Sequence, residues 1–582
     1  MYVTAPLAMA DSDPKDDGGQ AASRLDRRLP WLALLLVTAC VLRAAQMAWL
    51  SDDAFISFRY ARNLHDGLGL VYNAGEYVEG YTNLLWTLAM AATLQLGGSM
   101  EFMSQALGIL CWLGLSVALA AWSWQRSRAT GRALLPLAAL LNLLLEDSQR
   151  WASGGLETSL FNLLCVGGLL LLVAGHARRR WQLGAGLVLS LACLTRPDGA
   201  IFAALGVAYP LCRRAPWTDR LRDSACVALP LVLIGTALVI FKLRYYGDLF
   251  PTAFYAKSAL DAYYRQGLSY VWLFFARNWF VLAFVPLALW WARARLACLA
   301  TPANGLWLAA LLSFGYYVVH SAGDFMYARR LLPALPFLWL LCEELLALTP
   351  TRRVACALFF ATLLAAAVPR PLYGNTPGFI DGITNEWAHY PPAVIAMARA
   401  RGEQVGAILA GSPVRAAYEG GLAMFAHYSG LPYLVEMTGL TQYSLAKQTL
   451  TERGRIGHEK SADPRWLTDN HIHLLFFHDA QPLRSDGRRR FDLIGFSTGV
   501  TAKIWRYSDA VMDPLRGHAD VDFVPIETVL AQAERDILRA APAEARTILQ
   551  FLERYYLSDA APGRAAQVGH LRQLVADKTR NP

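Results

Sequence analysis

Two adjacent carboxylates, Asp52 and Asp53, open the run Ser51-Asp52-Asp53-Ala54-Phe55-Ile56-Ser57-Phe58-Arg59-Tyr60-Ala61-Arg62, directly after the first long apolar stretch. Ionising both at close range is costly, so one of them is driven toward a higher pKa or shares a cation. A carboxylate poised in this way suits the removal of a proton from an attacking hydroxyl. The competing reading is the capping of a helix that starts near Ala54, and the pair has one residue for each task. On that helix Phe55, Phe58 and Leu64 form an apolar face. Arg59 and Arg62 sit a turn apart, a spacing that fits a lipid phosphate or an anionic headgroup.

Other charged residues fall at comparable places. Arg196, Arg244, Lys257 and Arg329 lie at expected outer ends of apolar segments, where they can meet the charge that develops on a phosphate leaving group. Snorkelling at the membrane interface is an equal alternative for Arg244 and Arg329. Asp324, beside Phe325 and Met326, lies deep enough to need a function or an ion pair with Arg329 or Arg330. Glu79 and Glu157 are read as binders of acceptor hydroxyls or as helix caps. His320 is a further candidate beside Gly323-Asp324. Alternation on a strand puts His471 and His473 on one face and His478 on the other, which reads as exposed histidines and not a metal centre. Trp86 and Trp151 are candidate sugar platforms.

These residues must be held by elements, and the composition says which kind. Of the 582 residues 55% are hydrophobic and 17% charged; the mean hydropathy is +0.29. The apolar residues gather between residues 29 and 369 in blocks of about 15–22, the length that crosses a bilayer core. Segments are expected near 29–50, 84–98, 103–123, 133–145, 158–175, 182–195, 199–212, 225–243, 270–291, 305–320, 331–348 and 354–369. Basic loops such as 176–180 and 213–222 point to the cytoplasm, which leaves loops 51–82, 146–157, 244–269 and 321–330 outside. Two full crossings between 84 and 123 would put Arg126 and Arg128 on the wrong side, so 84–98, or another short segment, is expected to be re-entrant or interfacial. Residues 1–28 read as a disordered cytoplasmic N-terminus and 29–369 as the membrane domain. Residues 370–582 read as a soluble α/β or α+β domain on the outer side. All nine cysteines lie in the membrane half, without CxxC or zinc spacing. The net charge of +9 is explained by membrane topology, not nucleic acid. Nucleotide-sugar chemistry is disfavoured, since no Gly-rich phosphate fingerprint is present.

Several motifs carry a resemblance. The run Asp52–Arg62 is followed by Gly75-Glu76-Tyr77-Val78-Glu79-Gly80-Tyr81-Thr82 and Trp86. In order come Ser153-Gly154-Gly155-Leu156-Glu157-Thr158, Thr195-Arg196-Pro197-Asp198-Gly199 and Tyr245-Tyr246-Gly247-Asp248 running to Lys257. Gly323-Asp324-Phe325-Met326 with Arg329-Arg330, Gly439-Leu440-Thr441 and Gly457-His458-Glu459 complete the set. Taken together, the stretch from about 50 to 460 resembles the GT-C polytopic glycosyltransferases typified by the mycobacterial terminal β-(1→2)-arabinofuranosyltransferase. The resemblance implies a GT-C membrane fold of about 11–12 transmembrane or re-entrant segments in the bacterial inner membrane. It also implies a catalytic loop at 51–82 facing the periplasmic side.

The implied donor is a polyprenyl-phosphate sugar, decaprenyl- or undecaprenyl-phospho-β-D-arabinofuranose, and the implied acceptor a cell-envelope glycan or glycoprotein. Inverting transfer is expected, with Asp52 favoured as the base over Asp53. No cofactor is required by the motifs; a divalent cation, Mg or Mn, could sit at Asp52 or Asp53. Donor phosphate and lipid fall to Arg59, Arg62, Arg196, Arg244, Lys257 and Arg329. Sugar and acceptor fall to Glu79, Tyr81, Glu157, His320, Asp324 and His458. Gln442 departs from the pattern, since relatives often carry Asp there and an amide cannot act as acid or base. Transfer of another sugar, such as mannose or 4-amino-arabinose, is the nearest alternative. A lipid-linked-sugar flippase is the rival from a different class, and it predicts internal repeats and midplane charges.

Overall fold

A computed structural model of the chain describes residues 17–130, 135–175, 178–258, 261–368, 378–477, 479–485, 488–558 and 564–580. Among the described residues every expected apolar block contains helix, and one is broken: 270–291 forms two helices, Tyr264–Arg277 and Trp279–Ala292. Asn278 lies at the break, where its side chain donates to the Phe274 carbonyl at 3.1 Å and to Asp147 Oδ2 at 3.3 Å. The first helix begins at Asp17, so the expected disordered segment 1–28 is helical over its last residues. Helix elongation costs little once the apolar part from Pro30 has nucleated it. The remainder of that segment, the boundary near 369 and His478 lie outside the described residues.

Among the described residues four helices are long and apolar enough to cross a membrane: Met100–Ala129, Trp217–Tyr245, Trp279–Leu299 and Pro302–His320. Shorter apolar helices, including Pro30–Gln46, Thr158–Ala174 and Gly199–Cys212, pack among them, as expected of a multi-pass membrane protein. The helix Leu84–Gln95 has 12 residues. At about 1.5 Å per residue it falls well short of a bilayer core of about 30 Å. It packs on the helix Asp52–His65 of the first loop, in keeping with an interfacial placement.

The soluble domain is built on a six-stranded mixed sheet. Its strands, in chain order, are β1 Arg415–Tyr418, β2 Tyr433–Glu436, β3 Leu474–Phe476, β4 Leu493–Phe496, β5 Thr501–Ile504 and β6 Val521–Asp522. Their spatial order is β6-β4-β5-β3-β1-β2. β1 pairs in parallel with both β2 and β3, while the β3–β5, β5–β4 and β4–β6 pairs are antiparallel. The helix Pro392–Ile408 precedes β1. Three C-terminal helices, Ile526–Arg539, Pro542–Tyr555 and Ala565–Arg580, complete the domain. The carboxyl ends of parallel strands are where α/β sheets place ligands. Here the ends of β1 and β2, Tyr418 and Glu436, face the first loop of the membrane domain across a shared cavity.

The two halves are stitched together beside that cavity. Thr384 pairs with the loop after the helix Pro302–His320, its N–H donating to the Phe325 carbonyl at 2.7 Å and its carbonyl accepting from the Tyr327 N–H at 2.9 Å. Trp387 packs edge-on against Trp49 with ring centroids 6.5 Å apart. Trp49 lies two residues before Ser51, so the soluble domain rests on the start of the first loop.

Candidate active site

The cavity holds about 640 Å3 and has two chemically distinct parts. One wall is apolar: Ile201, Leu238, Val239, Leu249, Phe250 and Phe254. Leu238 and Val239 lie on the helix Trp217–Tyr245, whose other residues, such as Val232 and Leu233, are about 60% exposed at 60% and 62%. A helix that is apolar all round and mostly uncovered faces lipid. The cavity therefore runs beside a lipid-facing helix. Lys242, one turn further along the same face, marks the change from apolar to charged lining. Its Nζ sits 2.9 Å from Glu79 Oε1.

The charged part collects five cations, Arg196, Lys242, Lys257, Arg329 and Arg330, and the acids Asp52, Asp53, Glu157, Asp198, Asp324 and Glu436. Most are committed to one another. Arg196 binds Asp198 through two bonds of 3.0 and 2.7 Å and lies 3.7 Å from Glu157. Arg329 Nη2 donates to Glu157 Oε1 at 2.9 Å, and Asn83 donates to Glu157 Oε2 at 2.9 Å. Burial alone would raise the Glu157 carboxyl; the charges of Arg329 and Arg196 outweigh it and hold the group below the usual carboxylate range. Asp198 and Asp324 behave alike, with burial outweighed by Arg196 and by Lys257 respectively. Arg330 donates only to neutral groups, the Gly323 carbonyl at 2.7 Å, Tyr317 Oη at 2.8 Å and Ser321 Oγ at 3.0 Å.

Asp53 differs from its neighbours. It lines the cavity, and among the described residues no hydrogen bond engages its carboxylate. Burial raises its pKa; Lys257 and Arg329 pull it down, while Asp324 and Glu157 push it up. Lys257 is held nearly as loosely. Its Nζ is 3.9 Å from Asp324 Oδ1, too far for a hydrogen bond, and burial lowers its pKa. Asp324 Oδ1 is buried without a hydrogen-bond partner. A loose acid thus faces a loose cation across open volume.

Asp52, the favoured base from sequence, is differently placed. Its Oδ2 accepts from the Ala423 N–H at 3.0 Å and its Oδ1 from the Met424 N–H at 2.9 Å. Successive residues on a helix point about 100° apart, which sends the twin acids to different partners. Arg59 and Arg62 are not at a lipid surface. Arg59 is 5% exposed and donates to the carbonyls of Tyr72, Ala426 and Leu431, and Arg62 donates to the His427 carbonyl. The amphipathic spacing was real, but its face is covered by the soluble domain.

The remaining expectations divide. Tyr81 and His458 line the cavity. His458 stacks edge-on to Phe325 at 5.3 Å, and burial, with Arg455 nearby, lowers it to about 4. Glu79 is buried behind the wall as the partner of Lys242. His320 lies outside the lining, packed against Tyr264 and Tyr316, and Arg244 is exposed away from it. Trp86 and Trp151 are fully buried, donating to the carbonyls of Gly155 and Tyr327, and cannot serve as sugar platforms. No three His, Cys, Asp or Glu side chains among the described residues are grouped to hold a metal ion.

Sequence reasoning missed Lys242, Tyr418 and Glu436, and placed Arg330 only as an ion-pair partner of Asp324. Lys242 had a signal, since it ends an apolar helix together with Arg244. Tyr418 and Glu436 had none, because they arrive from strands over 350 residues away in the chain. Burial pushes Glu436 up to about 7, and its carboxylate accepts from the N–H groups of Thr438 and Leu440 at 2.9 and 3.0 Å. Glu386, beside the site, is raised by burial and by Asp53 to about 8. At Gly80 a Cβ would come within 2.8 Å of both Tyr60 Oη and the Leu440 carbonyl, so this position in the loop admits only glycine.

No family model matches the chain. Among curated proteins, it is 32% identical over 244 residues to the terminal β-(1→2)-arabinofuranosyltransferase of Mycobacterium tuberculosis, covering 39% of this chain and 38% of that protein. It is 29% identical over 322 residues to the protein of the same name from Corynebacterium glutamicum, covering 49% and 46%. The matched region thus spans less than half the length of either relative. Among solved structures, Cupriavidus metallidurans ArnT bound to undecaprenyl phosphate aligns with a TM-score of 0.47 at 14% identity, covering 70% of this chain and 86% of that one. An Archaeoglobus fulgidus oligosaccharyltransferase aligns with a TM-score of 0.42 at 10% identity, covering 77% and 69%. In sequence, the chain resembles the terminal β-(1→2)-arabinofuranosyltransferases, as the order of its motifs implied.

Proposed function

We propose that the protein is a glycosyltransferase that moves a sugar, D-arabinofuranose, from a polyprenyl-phosphate donor to a hydroxyl of a cell-envelope glycan on the outer face of the inner membrane. The observation that carries this reading is the two-part cavity. Its apolar wall beside a lipid-facing helix suits a prenyl chain, and its cation cluster suits the phosphate. The unengaged Asp53 stands between that cluster and the soluble domain, where an acceptor glycan enters. The names of the two curated relatives supply the sugar.

In this reading Asp53 takes the proton of the acceptor hydroxyl as the oxygen attacks the anomeric carbon. The bond to the phosphate oxygen breaks, and Lys257, Arg329 and Arg330 stabilise the departing anion. A raised pKa suits Asp53 to its role, since a base works best when its pKa approaches the operating pH. Asp52, which is committed to two backbone N–H groups, is not the base. Enclosure by the first loop and the soluble domain keeps water from the donor.

The stereochemical course has a second reading. One displacement inverts the anomeric centre and turns a β-phosphate donor into an α-glycoside. The relatives are named for a β linkage. With a β donor, that product requires two displacements, with the Asp53 carboxylate as nucleophile in the first. Incubation with a synthetic short-chain polyprenyl phosphoryl-β-D-arabinofuranose and an arabinofuranosyl oligosaccharide separates the two. An α-linked product by NMR supports single displacement and a β-linked one the double. Absence of any pentose transfer, with transfer from another lipid-phosphate sugar, removes arabinofuranose from the proposal.

A further inference from the structure

Three charged side chains of the first-loop helix take no part in the transfer chemistry, and all three end on the same element. That element is the seven-residue helix Ala423–Ser429 of the soluble domain. Asp52 accepts from its first two N–H groups, at 3.0 and 2.9 Å. Arg59 donates to the Ala426 carbonyl at 2.5 Å and, just past the helix, to the Leu431 carbonyl at 2.7 Å. Arg62 donates to the His427 carbonyl at 2.5 Å, and its other nitrogen lies 2.7 Å from His427 Nε2. A helix this short leaves more than half of its N–H and C=O groups without intrahelical partners, about four at each end. The first-loop helix supplies an acceptor at one end and donors at the other. The contact is closed to solvent: Asp52, Arg59 and His427 are 6%, 5% and 3% exposed.

The clamped helix is also the connection between β1 and β2. Tyr418 ends β1, Gly420 and Gly421 lead into the helix, and Glu436 ends β2; all four border the cavity. At Gly421 a Cβ would sit 3.4 Å from Asp52 Oδ2 and 3.3 Å from Tyr390 Oη, so this turn passes tight against the acid. We propose that Asp52, Arg59 and Arg62 form a clamp that seats the soluble domain on the catalytic helix and sets the distance between Asp53 and the wall made by Tyr418, Gly421 and Glu436. Asp52 is a positioning residue, and the twin acids divide the work: one docks and the other reacts. The inference rests on the proposed role of Asp53, and the soluble domain becomes part of the reaction centre instead of an appendage.

The test uses the full-length protein in detergent or nanodiscs and three variants, Asp52→Asn, Asp52→Ala and Asp53→Asn. Transfer is followed with the synthetic donor and oligosaccharide above, and amide exchange over 418–436 by mass spectrometry. Asn keeps one acceptor oxygen for the two N–H groups and Ala keeps none. Asp52→Asn therefore keeps transfer within about tenfold of the parent, while Asp52→Ala loses about a hundredfold or more, in line with the sensitivity of rate to small misplacements. In Asp52→Ala, exchange over 418–436 rises. Asp53→Asn loses transfer and leaves exchange as in the parent. Asp52→Asn as inactive as Asp53→Asn, with parental exchange, makes Asp52 the base and overturns the clamp. Parental exchange and transfer in Asp52→Ala overturn it as well. Should the Ala variant not fold, the contrast between the two Asn variants still decides. Full activity in Asp53→Asn removes the role of Asp53, while the exchange data continue to judge the clamp.

Discussion

The molecule has two clusters of charge at the ends of its membrane helices, and they differ in how their charges are met. One lines the cavity. The other joins Arg43, Glu146, Asp147, Arg150 and Arg277 where the first helix, the short helix Glu146–Ala152 and the helix Tyr264–Arg277 meet. Arg150 Nε lies 2.8 Å from Glu146 Oε1, and Arg277 and Arg43 lie 3.6 and 3.8 Å from its other oxygen. Arg277 also pairs with Asp147, which accepts from Asn278 at 3.3 Å as well. This second cluster borders none of the cavity, and each of its acids is bonded. Among the described residues, the cavity cluster leaves Asp53 without a hydrogen bond and Lys257 at 3.9 Å from its nearest carboxylate. Similar residue types, at similar depth, brace the fold in one place and stay unsatisfied in the other. Charge alone does not mark a site; charge left unsatisfied beside open volume does.

Replacing the loose acid should have the largest effect on activity and the smallest on the fold. Asp53→Asn is expected to lower transfer by about 10²–10⁴-fold, the range of general acid–base catalysis, with an unchanged thermal midpoint. Equal loss of both would erase the distinction between the clusters. The bracing cluster should respond in the opposite sense. Arg277→Ala leaves Asp147 buried without its cation and is expected to destabilise by about 3–5 kcal/mol, seen as a lower unfolding midpoint in detergent. Replacing Arg277 and Asp147 together by Met and Leu should recover much of that loss. A similar loss in the double replacement would mean that the network does more than balance its own charge.

Intermediate effects belong to the cations of the cavity. Lys257→Ala removes a charge with no close partner, so donor affinity should fall about 10–100-fold, the value of a charge-assisted contact of about 1.5–3 kcal/mol. Binding of a short-chain polyprenyl phosphate by calorimetry reads it. An unchanged affinity would move the phosphate toward Lys242 and Arg330.

The pH response is the mildest test. Asp53 is raised by burial, whereas Glu157, Asp198 and Asp324 are lowered by their cations. A group raised in the fold loses its charge first as pH falls. The lowered groups keep theirs, and with it the stability that they contribute above their unfolded values. Acidification should therefore extinguish transfer before it unfolds the protein. Rates and near-ultraviolet circular dichroism measured together from pH 7 downward would show the two curves separating. In Asp53→Asn the residual rate should no longer follow the acid limb.

Much of this was legible in the chain. The apolar blocks marked the helices, because lipid demands the same composition wherever a helix crosses. The shortness of the segment after Asn83 and the direction of Arg126 and Arg128 pointed to an interfacial helix. Asp324, Lys257, Arg196 and Glu157 were recognisable because ionisable residues at helix ends near a bilayer need a reason. Arg59 and Arg62 were misread for a physical cause. An amphipathic helix with arginines looks the same from sequence whether lipid or a folded domain covers it.

By itself, the sequence determined where the charges would be and which stretches would be helical, since both follow from local composition and spacing. Only the tertiary structure decided which charges would be spent. That choice depends on which carbonyls and N–H groups arrive from elsewhere in the chain, and the helix Ala423–Ser429 arrives about 370 residues after Asp52, at 371 and 372 residues for its two bonds. It takes Asp52 and leaves Asp53 facing the cavity, so two identical neighbours in sequence meet different surroundings.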